Sequence, residues 1–154
     1  MNRLTKPIFI CTAITSKRDK PKEIAELRER VERIDKIAGG CGITTVCAFR
    51  EEKWQGLEQP ELYVVRDFEW AKECEGAVIM REKSHGVLIE EGWLSAFGKP
   101  MLRLHQGAEE YKTGLEKGLG TITPVFDRVF HTIDDIVQPI IDFIEFLKQK
   151  NEQK

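Results

Sequence analysis

The chain lacks most of the features that would settle its class at a glance. No apolar run approaches the roughly 18–20 residues of a membrane span, so a helical membrane protein is not expected. Residues 1–13 pass too quickly into strand-like sequence to read as a signal peptide. The formal net charge is −2, which removes the bulk electrostatic case for polymeric nucleic acid or a membrane surface. There is no CxxC pair among Cys11, Cys41, Cys47 and Cys74. These read as buried, reduced thiols of a cytoplasmic protein rather than as a zinc site or a disulfide framework. No glycine occurs in Cys11–Lys20, which excludes a dinucleotide fingerprint at the first turn. Gly39-Gly40-Cys41-Gly42 has no P-loop lysine and follows a helix, not a strand. No GxSxG elbow accompanies Ser84, His85 and Glu90, so a hydrolase triad is not expected. His85, His105 and His131 are spread over three elements, and no metal or cofactor is expected.

What is present is an alternation of strand and helix over a length that suits one domain, 1–154. Short apolar runs at Pro7–Ala13, Ile43–Phe49, Gly76–Met80, Met101–His105 and Pro124–His131 predict five strands. Lys22–Ala38 has Ile24, Leu27, Val31 and Ile34 on one helical stripe and ends at Gly39-Gly40. Arg50–Gln59 reads as a polar loop, and Pro60 opens a helix over Glu61–Cys74. A third helix, Val87–Phe97, stops at Gly98-Lys99-Pro100. The Gly-rich segment Gln106–Thr121 has room for one short helix, and Thr132 or Asp134 caps a final helix to about Lys148. Repeated βα units imply an α/β domain, a flavodoxin-like or Rossmann-like five-stranded parallel sheet with helices on both faces. In such folds ligands bind at the carboxyl ends of the strands. Here those are Cys11–Ser16, Phe49–Trp54, Arg81–Gly86 and His105–Gly107.

Two carboxylates fall where a helix should be apolar. Gly86, Glu90, Trp93 and Phe97 lie at i, i+4, i+7 and i+11, one face with two large aromatics that should point inward. Glu90 lies near the start of its helix, where the dipole favours an anion, and is a candidate nucleophile or base. The bland alternative is that Glu90 reaches solvent while Glu91 is the truly exposed residue. Tyr63, Asp67, Trp70 and Cys74 repeat the spacing on the preceding helix, with Asp67 set into an apolar stripe. A structural carboxylate bonded to a loop explains Asp67 alone. Two inward acids on consecutive helices instead point to one site with two roles.

Asp67-x-x-Trp70, the strand Gly76–Met80, Ser84-x-Gly86-x-x-x-Glu90-x-Gly92 and Gly98-Lys99-Pro100 together resemble the nucleoside 2-deoxyribosyltransferase superfamily. The branch most similar is the 2′-deoxynucleoside 5′-phosphate N-hydrolases and related nucleotide N-glycosidases, over about residues 7–105. The resemblance implies that Glu90 attacks the anomeric carbon and that Asp67 orients the sugar and aids proton transfer. It puts Ser84 at the 5′-phosphate, with His85 and Gly86 beside it. The turn from Phe9 through Thr12, Ala13 and Ile14 to Thr15 would hold sugar and phosphate, and Thr113 would reach a neighbouring subunit's site. The chain departs from the pattern at that turn. Thr12-Ala13-Ile14-Thr15 stands where the hydrolases carry a Gly-Ser-Ile-Arg type sequence, so the phosphate-binding arginine is missing.

The expected reaction is hydrolysis of the N-glycosidic bond of a (deoxy)nucleoside 5′-monophosphate by a glutamate nucleophile, without a cofactor. The alternatives are base exchange by a nucleoside 2-deoxyribosyltransferase and a non-catalytic nucleotide-binding module. Trp54, Trp70 and Phe9 are candidates to stack on base or sugar. Ile133, Ile136, Val137, Ile140, Ile141, Ile144 and Leu147, with Phe143 and Phe146, make a stripe wider than one sheet face needs. That excess, with the resemblance, predicts a homodimer or larger homo-oligomer.

Overall fold

The computed structural model describes residues 4–13, 19–54, 59–82, 84–109 and 113–153. Five parallel strands form one sheet in the order β2-β1-β3-β4-β5. They are β1 (Ile8–Cys11), β2 (Thr45–Cys47), β3 (Gly76–Arg81), β4 (Met101–Gln106) and β5 (Val125–Phe130). The helices are α1 (Pro21–Gly40), α2 (Ala48–Glu51), α3 (Pro60–Glu73), α4 (His85–Ala96), α5 (Gly114–Gly118) and α6 (Val137–Glu152). This is the predicted α/β architecture. Strand order reverses between β1 and β3, so their carboxyl ends open onto the switch point.

Strict alternation along the strands divides the core into two layers. Ile8, Ile10, Val78, Met80, Leu102 and Leu104 pack against Leu27, Val31 and Ile34 of α1 and Ile140, Ile144 and Leu147 of α6. Phe9, Cys11, Ala77, Ile79 and Met101 face the other way, toward Ala71 of α3 and Val87 and Leu94 of α4. Cys11, Cys47 and Cys74 are buried free thiols, whereas Cys41 is only half-buried. Gly76 lets α6 pack closely on the sheet. A Cβ there would meet Leu147 Cδ2, Phe143 Cζ and the Pro100 carbonyl oxygen, each at 3.0 Å.

Helix ends explain where the sequence expectation shifts. Pro21 and Pro60 open α1 and α3, where the missing N–H costs nothing. Gly98, at φ +64°, ends α4, with Gly98 N–H bonded to Ser95 O and Lys99 N–H to Leu94 O. The same closure on α1 uses Gly42, at φ +77°, so the helix runs through Gly39-Gly40 instead of stopping there. The second strand is shorter than expected. Beyond Cys47 the chain coils into α2, burying Ala48 and Phe49. That turn closes with Lys53 N–H on Arg50 O and Trp54 N–H on Phe49 O. It closes without glycine: Lys53 and Trp54 both have left-handed φ, at 53° and 63°. The Trp54 ring offsets that strain by packing edge-on against Phe49, 5.1 Å between centroids, and under the Arg28 guanidinium.

The final helix does not offer the apolar excess expected of it. A 3₁₀ turn, Ile133–Ile136, precedes α6. Ile136, Ile140, Phe143, Ile144 and Leu147 are buried, and Ile133, Val137, Ile141 and Phe146 are half-buried. The stripe is wide because α6 meets the sheet and α1 together. Exposed apolar side chains lie instead on α3 (Leu62, Val64, Val65, Phe68), on α4 (Ile89), and at Leu115, Ile122 and Val129. Among the described residues no helix is long and apolar enough to cross a membrane.

Candidate functional site

Glu90 is the sixth residue of α4, and its helical face is rotated from the expected one. Val87, Glu91 and Leu94 form the stripe that enters the core. Glu90, Trp93 and Phe97 lie beside it and are half-buried, while Gly86 is exposed. Their side of α4 meets α3, where Phe68 packs edge-on against Trp93 and Phe97 at 5.5 and 5.2 Å. Part of the Glu90 side chain meets solvent, but its Oε2 is buried and accepts no hydrogen bond from the described residues. The thiol of Cys11, at the end of β1, neighbours the Glu90 carboxyl group and favours its ionised form. Burial, followed by the charge of Asp67, pushes the Glu90 carboxyl from its ordinary 4.5 up to about 8. Burial, followed by Glu90, likewise pushes the Cys11 thiol well up.

Asp67 reaches the same place from α3. Its Oδ1 accepts a hydrogen bond from Arg66 Nε at 2.8 Å. Arg66 also donates from Nη2 to Glu52 Oε1 at 2.9 Å. The guanidinium lies 4.8 Å from the ring centroids of both Tyr63 and Trp70, which fix its plane. Burial raises the Asp67 carboxyl above its usual range, against the pull of Arg66. Three carboxylates, one guanidinium and one thiol thus converge at the switch point. The arrangement can supply a desolvated nucleophile and a second acid held in a different state.

The other predicted residues divide. Thr12 and Ala13 are buried at the carboxyl end of β1, and Thr12 Oγ1 has no hydrogen-bond partner among the described residues. Ile14 lies outside the described residues, as do Thr15 and the basic pair Lys17 and Arg18. Phe9 is fully buried and packs edge-on against Trp70 at 5.8 Å, so it supports the site from below and has no free face for stacking. Trp70 is covered by Phe9 and Arg66, and Trp54 by Phe49 and Arg28, so their rings are engaged within the chain. Ser84 caps α4, its Oγ accepting from Val87 N–H at 3.5 Å, and His85 is the exposed first residue of that helix. Thr113 is exposed and caps α5 in a reciprocal box with Glu116. Within one chain, Thr113 joins the second charged network described next rather than the Glu90 cluster.

Glu91 overturns the expectation that it is exposed. It is 1% exposed and pairs with Arg81 at 3.0 Å and with Arg103 at 3.8 Å. Arg81 also bonds Glu116, and Arg103 donates to both Asp127 oxygens at 2.8 Å and to the Glu116 carbonyl at 2.7 Å. His105 Nε2 lies 2.6 Å from Asp127, so this histidine is engaged within the network. The network ties β3, β4 and β5 to α4 and α5. Two signals marked it in advance: Arg103 interrupts an apolar strand, and Glu91 keeps helical register with Val87 and Leu94. Glu52 and Arg66 belong to no sequence motif named above. Arg66 falls at i+3 from Tyr63 and i−4 from Trp70, whereas nothing local marks Glu52.

No protein-family model and no curated protein sequence matches the chain. Solved structures share its fold. Among them, the CMP N-glycosidase BcmB of Clostridium botulinum superposes with a TM-score of 0.65. The superposition covers 88% of this chain and 98% of that one, at 21% identity. At that identity the likeness fixes the fold.

Proposed function

We propose that this chain is a nucleotide N-glycosidase that hydrolyses the N-glycosidic bond of a (deoxy)nucleoside 5′-monophosphate, with Glu90 as nucleophile. The observation that carries the reading is the unpartnered, buried Glu90 Oε2 set against Asp67 at the β1/β3 switch point. The sequence pattern shared with nucleotide N-hydrolases and the fold shared with a CMP N-glycosidase support it. A protein that only bound nucleotides would gain nothing from burying these acids.

Glu90 attacks C1′ from the face opposite the base through an oxocarbenium-like transition state. The C1′–N bond breaks and its electron pair leaves with the base, which takes up a proton. Asp67 orients the sugar hydroxyls and relays that proton. Water then attacks C1′ of the glycosyl ester, gives up a proton, and regenerates the Glu90 carboxylate. A carboxylate raised to about 8 is a stronger nucleophile than an exposed one, and it is the ionised form that reacts. Activity therefore rises with pH through neutrality.

The test is chromatographic detection of free base across a panel of nucleosides and 5′-monophosphates. Glu90→Ala should lower base release by several orders of magnitude, on the order of 10⁴-fold or more, with folding intact. Asp67→Asn should also lose most activity. Turnover within tenfold of wild type in Glu90→Ala would remove Glu90 from the mechanism. A clear preference for free nucleosides, with a second base as acceptor, would move the assignment to the transferases. The active form is a homodimer or larger. The strip Leu62, Val65 and Phe68 on α3 is the exposed apolar surface that favours association. A monomeric mass by light scattering at micromolar concentration would contradict this.

A further inference from the structure

We infer that Glu52 is a positioning residue for the Glu90–Asp67 pair and acts on it through Arg66. The inference rests on the reading of Glu90 as a nucleophile and names a residue that reading does not use.

The local sequence goes to some trouble to put this carboxylate here. Glu52 is the C-terminal cap of α2, held by its N–H to Ala48 O. The two residues after it, Lys53 and Trp54, adopt left-handed φ without being glycine. Strain of that kind persists only where the surroundings enforce it, and it concentrates at functional sites. The result is a glutamate 5% exposed that meets, among the described residues, the Arg66 guanidinium. Arg66 already has Asp67 as a partner at 2.8 Å, so Glu52 is a second anion on one cation. Its effect is geometric and electrostatic. Fork contacts to Glu52 and Asp67, with Tyr63 and Trp70 over the plane, fix the guanidinium in one orientation. Arg66 then holds Asp67 by Oδ1 while its positive charge is balanced away from Glu90.

Among the described residues, the charged or titratable groups that act on Glu90 come from several elements. They are Cys11 of β1, Glu52 at the end of α2, and Arg66 and Asp67 of α3, with Cys47 of β2 further out. Asp67 and Glu52 favour the protonated form of Glu90, while Arg66 and the Cys11 thiol favour the ionised form. Replacing Glu52 by a neutral amide therefore leaves more of the Arg66 charge acting on Glu90 and moves its titration to lower pH.

The experiment is a carboxyl ¹³C NMR titration of Glu90 in wild type, Glu52→Gln and Arg66→Lys, with Tm for each. Kinetics follow on the 5′-monophosphate panel. In Glu52→Gln we expect the Glu90 titration and the acid limb of kcat/KM to fall together by about half a pH unit or more. We expect kcat to drop about ten- to a hundredfold, with KM changed less, as for a group that aligns without touching substrate. Arg66→Lys keeps the charge and loses the fork, so it should lower kcat with a smaller shift of the limb. A lower Tm with an unmoved Glu90 titration and unchanged kcat in both variants would make Glu52 structural and overturn the inference. If Glu52→Gln does not fold, an unchanged kcat in Arg66→Lys does the same. Wild type that titrates as expected but releases no base from any substrate would sink the glycosidase reading and leave the coupling of Glu52 to Glu90 standing.

Discussion

Glu90 costs the folded protein stability at neutral pH, and Glu90→Gln removes that cost. In an unfolded chain the carboxyl titrates near its ordinary 4.5, whereas in the fold burial and Asp67 hold it near 8. A group raised on folding leaves stability intact below the unfolded value. Stability is then lost as pH rises toward the folded value, because the unfolded chain releases a proton that the folded one keeps. At about 1.4 kcal/mol per pH unit, wild type should lose on the order of 3 kcal/mol relative to Glu90→Gln between pH 5 and 7.5. For a chain of this size that is a Tm difference of about 6–12 °C opening between the two pH values. Gln keeps the shape of the side chain, and pH 5 lies close to the ordinary carboxyl value, so the two proteins should agree within about 1 kcal/mol there. Other groups titrate in both proteins and cancel in the comparison. The assay is thermal unfolding of both proteins at half-unit steps from pH 5 to 8. Parallel curves, or a less stable Glu90→Gln at pH 7.5, would refute a Glu90 held protonated by its surroundings, whatever the enzyme assays report.

Three other perturbations test different parts of the account. Glu91→Ala leaves Arg81 and Arg103 short of a buried counter-charge and should cost about 3–5 kcal/mol in urea unfolding, unlike a surface glutamate. Gly76→Ala forces a methyl group against Leu147, Phe143 and the Pro100 carbonyl and should cost about 1–3 kcal/mol by the same measurement. Ser84→Ala removes the cap of α4 and should cost about 1 kcal/mol. If Ser84 also reads phosphate, that variant should raise KM for 5′-monophosphates more than for free nucleosides, and equal changes would limit the hydroxyl to capping. The missing arginine of the first turn withdraws a charge-assisted contact, so monophosphates should bind with salt-sensitive KM values.

Much of this protein is determined by patterns that a single element contains. Short continuous apolar runs give the five strands, and Pro21, Pro60, Gly98 and Thr113 set helix ends through local backbone chemistry that needs no distant partner. Glu90 and Asp67 stand out for the same reason: each interrupts an apolar stripe on its own helix. Tertiary structure decided the rest. Helical spacing places Glu90 and Glu91 on adjoining faces but does not say which face meets the sheet. That depends on how α4 docks on β3 and α3, and it sends Glu91, not Glu90, into the Arg81–Arg103 network. The apolar width of α6 reads as an exposed interface until α1 is laid beside it. Glu52 is the clearest case. In sequence it is one acid in a polar run after a short strand. It becomes part of the site because a glycine-free left-handed turn at the sheet edge aims it at Arg66, fourteen residues away along the chain. Burial of a charge is a property of everything packed around it, and no local pattern carries that information.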